Sequence, residues 1–308
     1  MRTPRIGQSV TVGISLALGT AAISGLSVFL NGFAVKQFPD PATYTTLKNA
    51  AAAVILIGAM VAVGGVPRAL GTRRWAGVAA LGLIGGSIPF LLFFTGLAQA
   101  SAPAAAVIHK TLFIWVALLA VIVLRERLGA WQISALGVLV AATLMVQPPA
   151  GVAWGGGESL IAIATGMWAV ETIVARRLLA TVPPLVAGAG RMGFGLLILV
   201  GYLVATGRIG VVFELGAAQW AWVIGTGVLL AGYVATWYGA LRRAPAAMVA
   251  AVLTLGAPIT AALQLVTAGA VPAPGPLAGY GLMLVVGGGL AVALLRHAAR
   301  DQALSPAG

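Results

Sequence analysis

Ten long apolar segments constrain the fold of this chain more than any other feature. They cover residues 10–34, 41–64, 76–98, 102–124, 131–147, 158–175, 185–205, 218–239, 246–267 and 276–296. A helix needs about 20 apolar residues to cross a bilayer, whereas a membrane β-barrel would show alternating hydrophobicity. Because 60% of the residues are hydrophobic and only 8% are charged, a water-soluble domain is excluded. The pattern predicts an all-α integral membrane protein with ten transmembrane helices.

The distribution of positive charge predicts the orientation of these helices. With the N-terminus inside, the cytoplasmic side receives Arg2, Arg5, Arg68, Arg73, Arg74, Arg125, Arg127, Arg176, Arg177, Arg242, Arg243, Arg296 and Arg300. The other side receives only Lys36 and Arg208. This asymmetry follows the positive-inside rule, so both termini are expected in the cytoplasm of a multi-pass protein. The net charge of +12 is therefore topological, and nucleic acid is excluded as a partner.

The two halves of the sequence repeat each other. Pro41 and Lys48 are matched by Pro184 and Arg191 at an offset of about 143 residues. Nearly the same offset relates Ile55-Leu-Ile-Gly58 to Ile198-Leu-Val-Gly201, and Pro103-Ala-Ala-Ala-Val107 to Pro245-Ala-Ala-Met-Val249. Each half has five spans, and an odd number inverts the second half relative to the first. Two inverted five-helix repeats are a transporter architecture, with the substrate site near the middle of the membrane.

This repeat predicts how the chain is divided. The first repeat is expected at residues 1–147 and the second at 158–297. Residues 148–157 are rich in proline and glycine and are expected to form an extracytoplasmic linker, and residues 298–308 a cytoplasmic tail.

Several short motifs, in this order and spacing, resemble the drug/metabolite transporter superfamily, and within it the ten-helix EamA type. They are Ala100-Ser-Ala-Pro-Ala-Ala-Ala-Val107, Leu124-Arg-Glu-Arg-Leu-Gly129, Gln132 and Gly137 in the first half, and Gly239, Ala244-Pro-Ala-Ala247, Pro258, Gly279 and Gly281 in the second. Two departures concern the fourth span: Ile114-Trp-Val116 lacks the family's usual proline, and His109-Lys110 replaces residues that are usually apolar or small.

The resemblance implies a secondary transporter of the inner membrane that exports small organic metabolites by alternating access. Amino acids and related carboxylate compounds are the expected substrates. An antiporter of phosphorylated or nucleotide-linked metabolites is the alternative within transport, because the superfamily also contains such carriers. A membrane scaffold or sensor that transports nothing is the alternative outside it.

Five charged or titratable residues within the spans are candidates for substrate binding or coupling. Lys48 and Lys110 are expected as companions at similar depth in the outer half, where a substrate carboxylate or phosphate can lie between them or each can extend to the headgroups instead. His109 belongs to a residue type that titrates near neutral pH, so proton coupling and a plain bond to a carbonyl are both open. Glu171 can form a buried pair with Arg191, as a structural contact or as a gate, or can instead pair with Arg176 near the interface or accept a proton.

Aromatic residues within the spans are candidates for the cavity wall, with packing against helices or lipid as the alternative. They are Tyr44, Phe90, Trp115, Trp168, Tyr233, Trp237 and Tyr238. Asn31 and Gln264 are amides within spans and are expected to bond neighbouring helices. The chain has no cysteine and two histidines, and it shows no nucleophile–base motif, phosphate-binding loop or metal-ligand spacing. We therefore expect no enzyme, no cofactor and no metal; the partners are a small molecule and membrane lipid, and the chain is a monomer or a homodimer.

Overall fold

The structure, a computed structural model, describes residues 6–65, 70–100, 108–146, 154–268 and 271–304, and contains no β-strand among them. The helices are α1 (Ile6–Ala34), α2 (Pro41–Ala62), α3 (Thr72–Leu81), α4 (Ile88–Gln99), α5 (Leu112–Leu124), α6 (Ala130–Val146), α7 (Gly156–Leu178), α8 (Pro184–Ala205), α9 (Ala217–Arg243), α10 (Ala246–Leu253), α11 (Gly256–Ala268) and α12 (Pro274–Leu304). A π-helical segment, Gly82–Ser87, joins α3 to α4. Short 3₁₀ helices follow α1 at Val35–Gln37 and α8 at Ile209–Glu214.

The chain is a multi-pass membrane protein. Within the described residues, eight helical stretches are long and apolar enough to cross a membrane, and two more apolar helices, Ile108–Leu124 and Ala130–Val146, are shorter. The ten predicted segments all coincide with helical stretches, although the count of ten spans stays a prediction. Some predicted features lie outside the described residues, namely Arg2, Arg5, Arg68, the motif residues 101–107, the first part of the linker and the end of the tail.

Each half of the chain interrupts a helix at a matching threonine. Thr111 precedes α5, and Thr254 lies between α10 and α11 at the repeat offset. The Thr111 hydroxyl donates to the carbonyl of Ile108 at 2.7 Å, and the Thr254 hydroxyl donates to the carbonyl of Ala251 at 2.7 Å. Pro258 has no N–H to donate to the Thr254 carbonyl, which contributes to the second break. The segment predicted at 246–267 matches one apolar stretch, Ala246–Thr267, and this break lies inside it.

The π-helical segment packs tightly on α8 through its glycines. A Cβ atom placed on Gly86 would lie 2.4 Å from the carbonyl oxygen of Arg191, and one on Gly82 would lie 2.5 Å from Cβ of Phe194. The Ser87 hydroxyl donates to the Gly82 carbonyl at 2.9 Å. A π turn leaves carbonyls without their usual partners, so this segment offers backbone acceptors inside the bundle.

Helix pairing follows the repeat. Helix α1 packs on α9, and α7 packs on α4. Helices α7 and α4 occupy the places of α1 and α9 in the other repeat, so the second contact repeats the first. Helices α2 and α8, which are counterparts of each other in the two repeats, pack together, and so do the counterparts α6 and α12. Such reciprocal pairing is the arrangement that two related halves produce.

Contacts between helix ends define two ends of the bundle. At the first, which we call the arginine-rich end, Arg176 Nη1 donates to the carbonyl of Arg242 at 3.2 Å, and Arg177 Nη2 donates to the carbonyl of Val123 at 2.7 Å. These bonds join the C-terminal ends of α5, α7 and α9.

At the opposite end, Asp40 begins α2. Its carboxylate accepts from the backbone N–H groups of Ala42 at 3.0 Å and Thr43 at 2.9 Å, which caps the helix. The same carboxylate lies 3.4 Å from Nη1 of Arg208, which follows α8. The contact joins the α1–α2 connection to the α8–α9 connection.

Candidate functional site

A buried ion pair lies in the middle of the bundle. Nε of Arg191, on α8, is 3.4 Å from Oε1 of Glu171, on α7, and the two side chains are 7% and 3% exposed. The Tyr238 hydroxyl, on α9, donates to the same carboxylate oxygen. Arg191 Nη2 donates to the carbonyl of Gly85 at 2.9 Å. Of the two cations considered as partners for Glu171, the structure pairs it with Arg191, so the guanidinium is neutralised within the protein.

Carbonyls of the π-helical segment tie several helices to this pair. The Gly85 carbonyl, besides binding Arg191, accepts from Trp168 Nε1 at 3.2 Å. The Gly86 carbonyl accepts from Nδ2 of Asn49 at 3.4 Å. Helices α2, α7 and α8 are therefore bonded to one irregular turn. The buried residues joined by these bonds, together with Lys48 and its neighbours described next, are called the core cluster: Asn31, Tyr44, Lys48, Asn49, Gly85, Trp168, Glu171, Arg191 and Tyr238.

Lys48 occupies different surroundings, although it is the repeat counterpart of Arg191. Its side chain is buried, and Nζ lies 5.2 Å from the ring centre of Tyr44, 5.9 Å from that of Phe90 and 6.0 Å from that of Phe94. Its one hydrogen-bond partner in the described residues is Oδ1 of Asn31 at 3.5 Å, an atom that also accepts from the Tyr44 hydroxyl. No described carboxylate forms an ion pair with Lys48. Aromatic faces attract the ammonium but do not neutralise it.

His109 and Lys110 lie just before α5 and face different neighbours. The His109 ring packs against Phe93 at 5.1 Å and Trp168 at 5.2 Å between ring centres. Its Nδ1 atom is buried without a hydrogen-bond partner in the described residues. Lys110 Nζ instead lies 5.9 Å from the ring centre of Tyr280, on α12. The structure thus gives Lys110 and Lys48 separate surroundings rather than the shared one that their similar depth suggested.

A cleft of about 320 Å³ opens beside Lys110. It is lined by Ser24, Val28, His109, Lys110, Leu112, Phe113, Thr143, Ala250, Leu253, Thr254, Gly256, Ala257, Thr260, Gln264, Tyr280 and Met283. Both interrupted helices border it. Gln264 lies near the C-terminal end of α11 and Tyr280 near the N-terminal end of α12, so the cleft is nearer the end of the bundle opposite the arginines. Lys110 is the one lysine or arginine in the lining, which contains no carboxylate, while His109 borders both the cleft and the core cluster.

The remaining aromatic candidates lie in different surroundings. Tyr44, Trp168 and Tyr238 belong to the core cluster through the contacts above. Trp237 is buried and stacks on Tyr233 with ring centres 6.1 Å apart. Trp115 is 48% exposed, and its Nε1 donates to the Thr111 hydroxyl at 3.1 Å. It faces away from both the cleft and the core cluster, which the sequence did not reveal.

Several polar residues of the site were not among the predicted site residues. Asn31 was expected to bond a neighbouring helix, and it does so through Tyr44 and Lys48. Asn49 was detectable as an amide one residue after Lys48. Tyr280 carries no sequence signal that links it to Lys110, since the two meet only through the packing of α12. Within the described residues, no three His, Asp or Glu side chains lie close enough to hold a metal ion.

Comparison with known proteins was made on sequence and on structure. The model of the EamA-like transporter family matches residues 11–147 and again residues 155–293. A search of curated proteins finds no match. A solved structure, described as the crystal structure of a protein, is similar with a TM-score of 0.74 and 20% sequence identity, over 94% of this chain and 98% of that chain. At this identity the likeness concerns the fold alone.

Proposed function

Because the chain belongs to the EamA-like transporter family, we propose that it exports small organic metabolites bearing a carboxylate, such as amino acids, across the inner membrane by alternating access. Family membership makes the protein a membrane transporter. The substrate class is proposed from the chain's own residues, and export by alternating access from its likeness to the family.

One observation carries the proposal: the buried cations differ in whether the protein neutralises them. Arg191 has Glu171 as its partner, whereas neither Lys48 nor Lys110 forms an ion pair within the described residues. A charge in a membrane interior is costly and is characteristic of substrate pathways. Lys110 lines an open cleft without a carboxylate. A substrate carboxylate there would supply the missing countercharge, with Tyr280 and Gln264 available to the rest of the molecule.

The ends of the bundle support an inverted arrangement of the repeats. Contacts at the arginine-rich end join the last residues of α5, α7 and α9, and those at the opposite end join the α1–α2 and α8–α9 connections. Under the positive-inside rule the arginine-rich end is cytoplasmic. The cleft then faces the outside, as an outward-open state requires.

Proton coupling is assigned to the wall between the cleft and the core cluster. His109 lies in that wall, and its Nδ1 atom has no partner in the described residues. Histidine is the side chain best suited to gain and lose a proton near neutral pH. A proton bound there would change the charge beside Lys110 as the substrate enters or leaves.

The proposal is tested by flux into proteoliposomes. Radiolabelled amino acids and related carboxylates should cross faster than in empty vesicles. Replacing Lys110 by glutamine should raise the half-saturation concentration about tenfold or more, since a hydrogen bond to a charged group contributes roughly 1.5–3 kcal/mol. Lys36→Gln, which removes an exposed lysine, is the matched control and should leave flux unchanged. Absence of substrate-dependent flux across a broad metabolite panel would overturn the proposal.

An antiporter of phosphorylated metabolites is the second candidate, favoured by the presence of two unpaired lysines rather than one. It requires counter-exchange, so flux should depend on a second phosphorylated metabolite inside the vesicle and not on a proton gradient.

A scaffold or sensor would instead tolerate alanine at Lys48, Lys110 and Arg191 without loss of its cellular phenotype.

A further inference from the structure

We infer that Glu126 is the latch that holds the cytoplasmic end closed, and that transport requires this latch to open. The inference rests on the alternating-access mechanism proposed above. It assigns a positioning role to the acidic residue in the turn between α5 and α6.

The carboxylate of Glu126 caps a helix in the other half of the protein. Oε1 accepts from the backbone N–H of Ala246 at 2.7 Å, and Oε2 accepts from that of Ala247 at 3.1 Å. These are the first two residues of α10, whose N–H groups have no partner within the helix. Negative charge is also favoured at a helix N-terminus by the helix dipole. Both carboxylate oxygens are therefore used in one contact between the two repeats.

The turn that carries Glu126 is held in a defined conformation. Arg125 adopts a positive φ of 56°, a left-handed conformation that is uncommon outside glycine. The Glu126 N–H then donates to the carbonyl of Ala120 at 3.1 Å, which closes the end of α5. This geometry directs the carboxylate towards α10 instead of leaving it in solvent, and Glu126 is partly buried as a result.

Helix α10 connects the latch to the cleft. It is eight residues long: its first residues bind Glu126, while Ala250 and Leu253 near its other end line the cleft. The interruption at Thr254 separates α10 from α11, so α10 can change its tilt without carrying α11 with it. Because the cleft is open at one end while Glu126 joins the repeats at the other, the latch contact belongs to the closed side of the transport cycle.

The outer end has no equivalent acid. The repeat offset maps Glu126 onto Gly269, which lies outside the described residues, and the sequence from Gly269 to Gly275 contains no acidic residue. Only the cytoplasmic end can therefore form a carboxylate latch between these turns. We expect it to bias the resting protein towards the outward-open state.

Single cysteines test the latch directly, because the natural chain contains none. Ala246→Cys reports access from the cytoplasmic side at a fully buried position, and Ser24→Cys reports access to the cleft. Each is introduced with Glu126→Ala, with Glu126→Gln and with Arg127→Ala as the matched control from the same turn. Reaction with a membrane-impermeant maleimide is then measured from each side in vesicles, without any substrate.

We expect Glu126→Ala to raise the labelling rate at residue 246 about tenfold, the size of one lost charged cap, and to lower the labelling rate at residue 24. Glu126→Gln, which keeps one acceptor oxygen, should fall between, and Arg127→Ala should match the parent. Increased labelling at both positions would mean general loosening, and unchanged labelling would mean no latch; either result overturns the inference. If Glu126→Ala does not fold, the Gln variant decides in the same way. The assay needs no substrate, so failure of the latch is distinguishable from failure of the proposed export.

Discussion

The two halves of the protein place a buried cation at the same position and surround it with opposite chemistry. Arg191 is bonded to a carboxylate and a backbone carbonyl, and its carboxylate partner is held by a tyrosine. Lys48 has an amide oxygen and three aromatic rings. Duplication therefore fixed where the charges lie but not what they bind. One charge is neutralised inside the protein, and the other has no countercharge among the described residues.

The difference arises from the residues around the two cations. The repeat counterpart of Glu171 in the first half is Val28, which cannot neutralise a cation. The counterpart of Phe90, which lies beside Lys48, is Tyr233. The π-helical segment that supplies the Gly85 carbonyl occurs in the first half alone among the described helices. The cation of the second half therefore has an ion pair, while that of the first half has an aromatic enclosure.

The largest effect is expected from breaking the ion pair. Arg191→Met leaves the Glu171 carboxylate buried without its countercharge, which costs about 3–5 kcal/mol in comparable pairs. Thermal or denaturant unfolding of the purified protein should show this loss, and the double change Arg191→Met with Glu171→Gln should recover most of it. Glu214→Gln, at an exposed position, is the control. A loss no larger than that of the control would show that the pair is not neutralised as described.

An intermediate effect is expected from two glycines that match under the repeat. Gly82→Ala would place a methyl group 2.5 Å from Cβ of Phe194 and 2.9 Å from the backbone nitrogen of Gly195, so it should destabilise the protein by about 1–3 kcal/mol. Its counterpart Gly225 has nothing within 4 Å. Gly225→Ala should therefore be neutral or stabilising by up to about 1 kcal/mol. Equal midpoints of unfolding for the two variants would contradict the packing of the π-helical segment on α8.

The smallest effect on stability is expected at Lys48 itself. Lys48→Met removes an unpaired buried charge and leaves no carboxylate behind, and the lost cation–π attraction of roughly 0.5–2 kcal/mol is offset by easier burial of the thioether. We expect a change in unfolding free energy within about 1 kcal/mol, accompanied by a clear loss of flux. A loss as large as that of Arg191→Met would mean that the two cations serve the same structural purpose after all.

The sequence predicted the class of fold and one contact of the site, for physical reasons that are visible in particular residues. Apolar segments of about 20 residues leave few alternatives to membrane helices, and an acid and a base in neighbouring spans must pair or face water. Glu171 and Arg191 could therefore be matched from their positions in the sequence. The surroundings of Trp115 and Lys110 could not, because a helix that is apolar all round does not indicate which face meets lipid.

Other features depend on packing that a single sequence does not encode locally. The π turn at Gly82–Ser87 needs α8 against it, and the break at Thr254 became recognisable only together with its counterpart at Thr111. The helix cap made by Glu126 likewise depends on two backbone N–H groups more than a hundred positions away.

The ion pair also affects how the chain enters the membrane during its synthesis. Glu171 and Arg191 belong to consecutive helices, since α7 ends at Leu178 and α8 begins at Pro184. The two charges can therefore meet as a hairpin while the ribosome is still producing α9, and each lowers the insertion cost of the other, roughly 2.5–3.5 kcal/mol for a lone charge. Lys48 has no such charged companion during synthesis. Helix α2 must enter the bilayer before α4, which carries Phe90 and Phe94, has been made.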